Sequence, residues 1–279
     1  MTETSSVYSN YQKFIEARLT IINKEGNNVR FKLNPIQAAY VSKSSNRDII
    51  LKARQQGFSS FILAAFAADF LLKENSNSVV VADKSDNAIA LLGRVKHYLK
   101  AYCDATGIGW DYFEKKVLKY NSKYQLVNGA NNATYTIGTA QEQDFGRSRT
   151  ITNLHLSEAA FYPNLPNLLA GAAQAVVPTG KLIIETTANG FNSFKSLWDD
   201  SVLGSTAYQP LFFRASDFYD EVFLQQKRKE LGERLYKQEY PDNPLEAFIT
   251  SGETYFDQEA MQYYLEQAKE PISGTPAIA

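Results

Sequence analysis

The chain is predicted to form a mainly parallel, doubly wound α/β sheet with a small helical appendage towards its C-terminal end. Three observations point there. Apolar, β-leaning runs alternate with helical patterns between residues 48 and 214, the order that a parallel sheet with crossover helices requires. The run Asp48-Ile49-Ile50-Leu51 passes through Lys52-Ala53-Arg54-Gln55-Gln56-Gly57-Phe58-Ser59-Ser60 into an Ala-rich apolar helix from Phe61, so a strand enters a tight Gly turn and leaves as a helix. A length of 279 residues at 44% hydrophobic composition suffices for one large domain, or a domain with an appendage.

In chain order, residues 1–7 are polar and expected to fray. Tyr8, Tyr11, Phe14, Ile15 and Leu19 fall at helical spacing and predict an amphipathic helix over 8–18. The β-leaning runs 20–23 and 29–33 flank Lys24-Glu25-Gly26-Asn27-Asn28 and predict a hairpin. Asn34-Pro35 then starts a helix, with Asn as its cap, Pro at its first position and Gln37 in its first turn. Residues 78–82 form a buried strand, and 86–102 a helix carrying Arg94, Lys96 and Lys100 as either a basic face or a solvated one. Gly107 and Gly109 break the pattern, and 103–123 is expected to be irregular or helical. The runs 124–127 and 134–137 alternate around Asn128-Gly129, a second hairpin. A strand at 151–156 runs into Ser157-Glu158, Pro163 and Pro166 frame a helix to 175, and 181–187 is another buried strand. A helix at 191–200, a strand at 211–214 and helices at 221–230, 232–241 and 243–248 follow. Beyond Gly252 one more helix is expected at 258–269 before a Gly/Pro/Ala-rich tail.

Charged residues make up 21% and the formal net charge is −1. That excludes a protein built for tight, static nucleic-acid binding, while leaving room for a local DNA contact. A single cysteine, Cys103, excludes an internal disulfide framework, and two histidines, His97 and His155, speak against a His-rich metal site. No apolar run reaches the ~18 residues of a membrane span, so a soluble, cytoplasmic protein is expected.

The stretch 52–60 has the layout of a phosphate-binding loop, although it departs from G-x-x-x-x-G-K-[ST]. Lys52 stands where the first Gly belongs and Phe58 where the Lys belongs; Gly57 and Ser59 keep the pattern. A plain strand-to-helix turn is the competing reading. If the loop works, ATP is the expected ligand. The turn and the helix start supply donors, Lys52 or Arg54 folds back over the phosphates, Ser59 is the natural Mg²⁺ ligand and Ser60 lies beside it. The primary amide of Gln37 offers the donor and acceptor that an adenine edge requires, unless it is simply a surface side chain. Asn153-Leu154-His155-Leu156-Ser157-Glu158 reads as a strand with an acid at its carboxyl end, where ligands of such sheets bind. Glu158 is the candidate to polarise the attacking water, or else a helix-dipole partner. Ser157 replaces the usual Asp and can hold a metal-bound water. Arg147 and Arg149 are candidates for a cation that meets transition-state charge. Thr186 and Thr187, at the next strand end, either sense the γ-phosphate or cap the following helix.

Taken in order, these landmarks resemble the ATPase half of the large terminase subunit of tailed bacteriophages. The resemblance runs from Phe31-Lys32-Leu33-Asn34-Pro35-Ile36-Gln37 and the loop through Gly146-Arg147-Ser148, Leu154 to Phe161 and Glu185-Thr186-Thr187-Ala188-Asn189-Gly190 to Gln238-Glu239-Tyr240-Pro241 and Glu246-Ala247-Phe248. It implies a RecA-like P-loop sheet of the additional-strand type and a magnesium-dependent ATPase. It further implies Lys52 as a displaced loop lysine, Arg54 as the loop arginine, Gln37 as adenine reader, Glu158 as catalytic carboxylate, Arg147 as finger and Thr187 as coupling residue. Implied partners are double-stranded DNA, the portal protein, the small terminase subunit and further copies in a ring of five on the portal, with a monomer when alone, in the host cytoplasm. Residues 1–30 are then an N-terminal helix and hairpin, 31–250 the ATPase domain, and 251–279 a linker towards the family's RNase-H-like nuclease, whose activity is not expected in this chain. A helicase-type ATPase and a nucleotide-binding module without hydrolysis are the alternatives.

Overall fold

The computed structural model describes residues 8–142 and 150–251, together with 263, 264 and 267. The polar start at 1–7, the loop cations Arg147 and Arg149 and most of the segment expected as a helix at 258–269 lie outside these residues.

Helix α1 (Ser9–Arg18) leads into the hairpin of β1 (Thr20–Ile22) and β2 (Asn28–Arg30), paired antiparallel as expected. Helix α2 (Pro35–Lys43) follows, then β3 (Arg47–Lys52), α3 (Phe58–Leu72), β4 (Asn77–Ala82) and α4 (Ser85–Thr106). After the single turn α5 (Trp110–Tyr112) come β5 (Leu118–Asn121), β6 (Gln125–Asn128), β7 (Thr134–Thr139) and β8 (Ile151–Ser157). The last part holds α6 (Leu165–Leu168), β9 (Val176–Thr186), α7 (Ser193–Val202), β10 (Gln209–Phe213), α8 (Glu221–Glu239) and α9 (Pro244–Ser251). Gly232, at φ 73 and ψ 162, breaks α8 in two, which is the boundary its glycine predicts.

Eight strands form one sheet in the order β10-β3-β9-β8-β4-β7-β6-β5. Pairing is parallel from β10 to β7 and antiparallel at the β7–β6–β5 edge. The fold is thus a mostly parallel sheet covered by helices on both faces. One feature of the order governs the site: β9 is inserted between β3, which feeds the loop, and β8, which carries the acid.

Strand periodicity sorts the side chains between two cores. Ile50, Val80, Ile137 and Ile183 point to the side covered by α1 to α4. Their neighbours Ile49, Leu51, Val79, Leu182 and Ile184 point to the opposite side, against Leu165, Phe194, Trp198 and Phe248. Helix α3 is apolar on every side, and Phe61 to Ala67 are each 0% exposed; such a helix must be enclosed. Each large side chain buried there contributes about 1.5–3 kcal/mol, so the helix that starts at the loop is fixed in place. At the amino ends of the strands, Asp69 ties α1, α3 and the sheet together. Its Oδ1 accepts from Tyr11 Oη at 2.7 Å, and its Oδ2 from Lys181 Nζ at 3.1 Å and Asn153 Nδ2 at 3.0 Å. Burial holds Lys181 below the usual lysine range despite the Asp69 charge.

Strand β5 corrects the expectation for 103–123. Of its residues only Leu118 is buried, while Lys119, Tyr120 and Asn121 are exposed. An edge strand with one buried residue shows no alternation, so no period-two signal exists in the sequence.

Candidate active site

The loop between β3 and α3 is held from both sides. On the inner side, Asn34 and Gln37 form a capping box at the start of α2. The remaining amide hydrogens of that box secure the loop: Asn34 Nδ2 donates to the Gln56 carbonyl at 3.0 Å and Gln37 Nε2 to the Gly57 carbonyl at 2.8 Å. On the outer side, Arg54 N–H donates to the Glu239 carbonyl at 2.8 Å, Tyr219 Oη to the Arg54 carbonyl at 2.8 Å and Gln56 Nε2 to the Arg214 carbonyl at 2.7 Å. Gly57 sits at φ 82 as the cap of α3, and no side chain caps that helix. The first N–H groups of α3 therefore lack both an intrahelical partner and a side-chain cap.

Gly57 has a second reason to be glycine. A Cβ there would lie 2.8 Å from Gln37 Nε2. Gly57→Ala combines left-handed strain with that clash, and a loss of about 1–3 kcal/mol of stability is expected, with weakened nucleotide binding. Thermal melting and titration with a fluorescent nucleotide check this; an unchanged melt would show that the loop can move away from Gln37.

The loop borders a cleft of about 1130 Å³, slightly above the ~300–1,000 Å³ common for small-molecule sites. Lys52, Arg54, Gln55, Gln56, Gly57, Phe58, Ser59 and Ser60 line it, with Ser157 and Glu158 at the end of β8. Residues of α8, among them Phe223, Leu231, Leu235 and Tyr240, make an apolar wall. Lys24, from the β1–β2 turn, lies over the rings of Tyr219 and Phe223 at 5.9 and 5.8 Å from their centroids. Of the three basic residues of the 86–102 helix pattern, Arg94 reaches the cleft, whereas Lys96 Nζ donates to the Ser122 carbonyl at 2.9 Å.

Three strand ends meet at the floor of this cleft. Lys52, Ser157 and Glu185 have the parity of Ile50, His155 and Ile183 and so share the face towards α3. Lys52 Nζ lies 3.1 Å from Glu158 Oε1 and 3.2 Å from Glu185 Oε2, and its side chain is 5% exposed. Burial alone would lower the lysine; the two carboxylates reverse this and hold it well above its ordinary value. Glu185 Oε1 accepts from Ser59 Oγ at 2.7 Å and Ser157 Oγ at 2.9 Å, with His155 Nε2 at 3.2 Å. Against a carboxylate, His155 Nε2 carries the proton. Burial pushes Glu185 up, but Lys52 and the surrounding donors outweigh it and keep the carboxyl below the usual range.

Glu158 begins the turn after β8 in the left-handed region, at φ 59, and Gln55 in the loop has φ 57. Such non-glycine residues cost on the order of 1–3 kcal/mol each and gather at functional sites. The turn aims Glu158 back over the strand ends, where its Oε2 accepts from Thr187 N–H at 3.2 Å. The Thr186 hydroxyl donates to the Thr187 carbonyl at 2.7 Å and accepts from Ala160 N–H at 3.2 Å. Both threonines are buried braces of the acid.

The structure thus brings together Lys52, Ser59, Ser157, Glu158, Thr186 and Thr187. It sets others apart. Gln37 is 3% exposed, and its amide is taken up by the capping box and the Gly57 carbonyl, so it faces the loop from behind. The Phe58 ring is buried against Tyr40 and Phe213, with centroids 5.6 and 4.8 Å away, so only its backbone can serve a ligand. Arg54 stands at the rim, with its side chain 56% exposed and paired to Glu239 at 3.1 Å. Arg147 lies outside the described residues. Glu185 and His155 received no role from the sequence, although a glutamate inside the apolar run 181–187 was the available signal.

No protein-family model matches the chain. Among solved structures, the ATPase domain of the Thermus phage P74-26 large terminase is similar, at 17% identity and a TM-score of 0.58, over 75% of this chain and 93% of that one. An arginine-to-alanine variant of the same domain gives 16% identity and a TM-score of 0.60 over the same shares. A weaker likeness, to the large terminase of a thermophilic bacteriophage in complex with ADP, has 13% identity and a TM-score of 0.49 over 71% of this chain and 48% of that one, and carries no argument. The sheet with β9 between β3 and β8, the loop ahead of α3 and these neighbours agree: the chain has the fold of a phage large-terminase ATPase domain.

Proposed function

We propose that the chain is the ATP-hydrolysing motor domain of a phage large terminase, driving double-stranded DNA into a prohead. The observation that carries this is the meeting of Lys52, Ser59, Glu158 and Glu185 beside the uncapped N-terminus of α3. Phosphates are held by the N–H groups of the Gly57 turn and of α3, which act with the positive end of the helix dipole.

Magnitudes divide the work of the two loop cations. An exposed pair such as Arg54–Glu239 is worth about 0–1 kcal/mol, so Arg54 can leave Glu239 for a phosphate at little cost. Removing one partner from a buried pair costs about 3–5 kcal/mol, so Lys52 stays with its carboxylates and turns its third N–H to the cleft. The base stacks on the α8 wall, and Gln37 serves the ligand by fixing Gly57. Reading adenine directly would require its amide to leave that carbonyl.

A magnesium ion fits the oxygen donors present. Ser59 sends its hydrogen to Glu185, which leaves oxygen lone pairs for a hard cation, and Ser157 can hold a metal-bound water. When bound, the ion neutralises charge on the phosphate oxygens. Glu158 takes the proton of the attacking water. Its bond from Thr187 N–H ties that carboxylate to the end of β9, so a change at the γ-phosphate reaches the chain leading to α7 and couples hydrolysis to DNA movement. Arg147, in the role of finger, acts across the interface of a five-membered ring on the portal, assembled with the small subunit in the host cytoplasm.

Binding of a fluorescent ATP analogue and phosphate release, each with and without double-stranded DNA and portal, test this reading. The wild-type chain should bind the analogue and release phosphate faster when assembled with DNA. Arg147→Ala should keep binding and lose turnover. Absence of nucleotide binding by the wild type would overturn the reading. Binding without turnover under any condition would leave a nucleotide module instead of a motor.

A further inference from the structure

We infer that Glu185, at the carboxyl end of β9, is the acid that orients the cation-binding serine of the loop, a task the strand-end pattern assigns to position 157 of β8; the assignment rests on the nucleotide reading above. A serine binds a hard cation through an oxygen lone pair, so its hydrogen has to be directed elsewhere. A fixed carboxylate behind the serine does this. Ser59 Oγ donates to Glu185 Oε1 at 2.7 Å.

The β8–β9 register explains how the acid can change strands. Ser157 is paired directly beside Glu185, about 4.8 Å away as neighbouring strands are. A glutamate is one methylene longer than an aspartate and reaches back across part of that spacing. Ser157 Oγ itself donates to Glu185 Oε1 at 2.9 Å, so the carboxylate oxygen lies where an acid on β8 would place its own. Glu185 is 0% exposed and Lys52 Nζ fixes its other oxygen at 3.2 Å. The charge missing at 157 is thereby restored in place from the inserted strand. Glu185 is a positioning residue: it acts on the cation through Ser59.

The test is the affinity of a fluorescent ADP analogue with Mg²⁺ and in EDTA, with bound Mn²⁺ followed by electron paramagnetic resonance. In the wild type, metal should tighten nucleotide binding. Glu185→Gln should reduce metal affinity roughly 10–100-fold, while binding in EDTA stays near the wild-type value. Moving the acid, in Glu185→Gln with Ser157→Asp, should recover most of the metal dependence; a merely structural role for Glu185 predicts no recovery. Ser59→Ala, which leaves the buried charges intact, should show the same metal defect, and adding Glu185→Gln to it should bring no further loss. Full metal dependence in folded Glu185→Gln, failure of the moved acid to rescue, or additive losses with Ser59→Ala would each overturn the assignment. If the wild type binds no nucleotide in either condition, the nucleotide reading itself falls; metal-tightened binding that survives Glu185→Gln removes only the role of Glu185.

Discussion

Glu158→Gln is expected to lower ATP turnover by about 10²–10⁴-fold, the range of a positioned general base, while nucleotide affinity stays close to wild type. The separation follows from the geometry. The Glu158 side chain is 35% exposed, and Lys52 keeps its second partner, Glu185, when Glu158 is neutralised. Folding should therefore change by no more than about 1 kcal/mol. Single-turnover phosphate release, measured under the condition that gives the highest wild-type rate, is the check. A variant with wild-type turnover would move the base elsewhere, and Asp83, which also lines the cleft, is the next carboxylate to examine.

Lys52→Ala is expected to act on folding as strongly as on activity. It leaves Glu185 wholly buried without its cation, and breaking such a pair costs about 3–5 kcal/mol. Urea denaturation should show this as a lower midpoint with an unchanged slope. Adding Glu185→Gln should return part of the loss, because the buried charge is then removed as well. The pH dependence has a definite sign. Lys52 is raised in the folded chain, so its contribution is complete below the ordinary lysine value of 10.5 and is lost as the pH climbs through the folded value. Glu185 is lowered, so its contribution is complete above the ordinary value of 4.5 and is lost as the pH falls through the folded value. Wild-type stability from this pair should be flat between those limits, and Lys52→Ala should remove the alkaline loss. Equal midpoints for the two proteins would show that the pair contributes nothing net.

Much of the fold was legible because its signals are local. The Gly57 turn, the Asn34-Pro35 helix start, the Asn128-Gly129 hairpin and the Gly232 break each need a particular backbone conformation, and the residue that permits it is visible in the chain. The buried runs at 48–51, 78–82, 151–156 and 181–187 each became a strand of the parallel sheet. Strand β5 was not legible, because it borrows its conformation from pairing with β6.

The site divides in the same way. Sequence placed Lys52, Ser59 and Glu158 at strand or helix ends, and the parallel sheet brought those ends to one edge. It could not show that Gln37 would spend its amide on the Gly57 carbonyl, since that partner lies 20 residues away, nor that the Phe58 ring would enter the core. Glu185 shows the limit best. By itself the sequence determined that a phosphate loop and a strand-end acid exist, because each is written in a few consecutive residues. Only the tertiary structure decided that β9 lies between β3 and β8 and sets Glu185 among Lys52, Ser59 and Ser157. Strand order is fixed by how the helices cover the two faces of the sheet, and that is a property of the whole packed core.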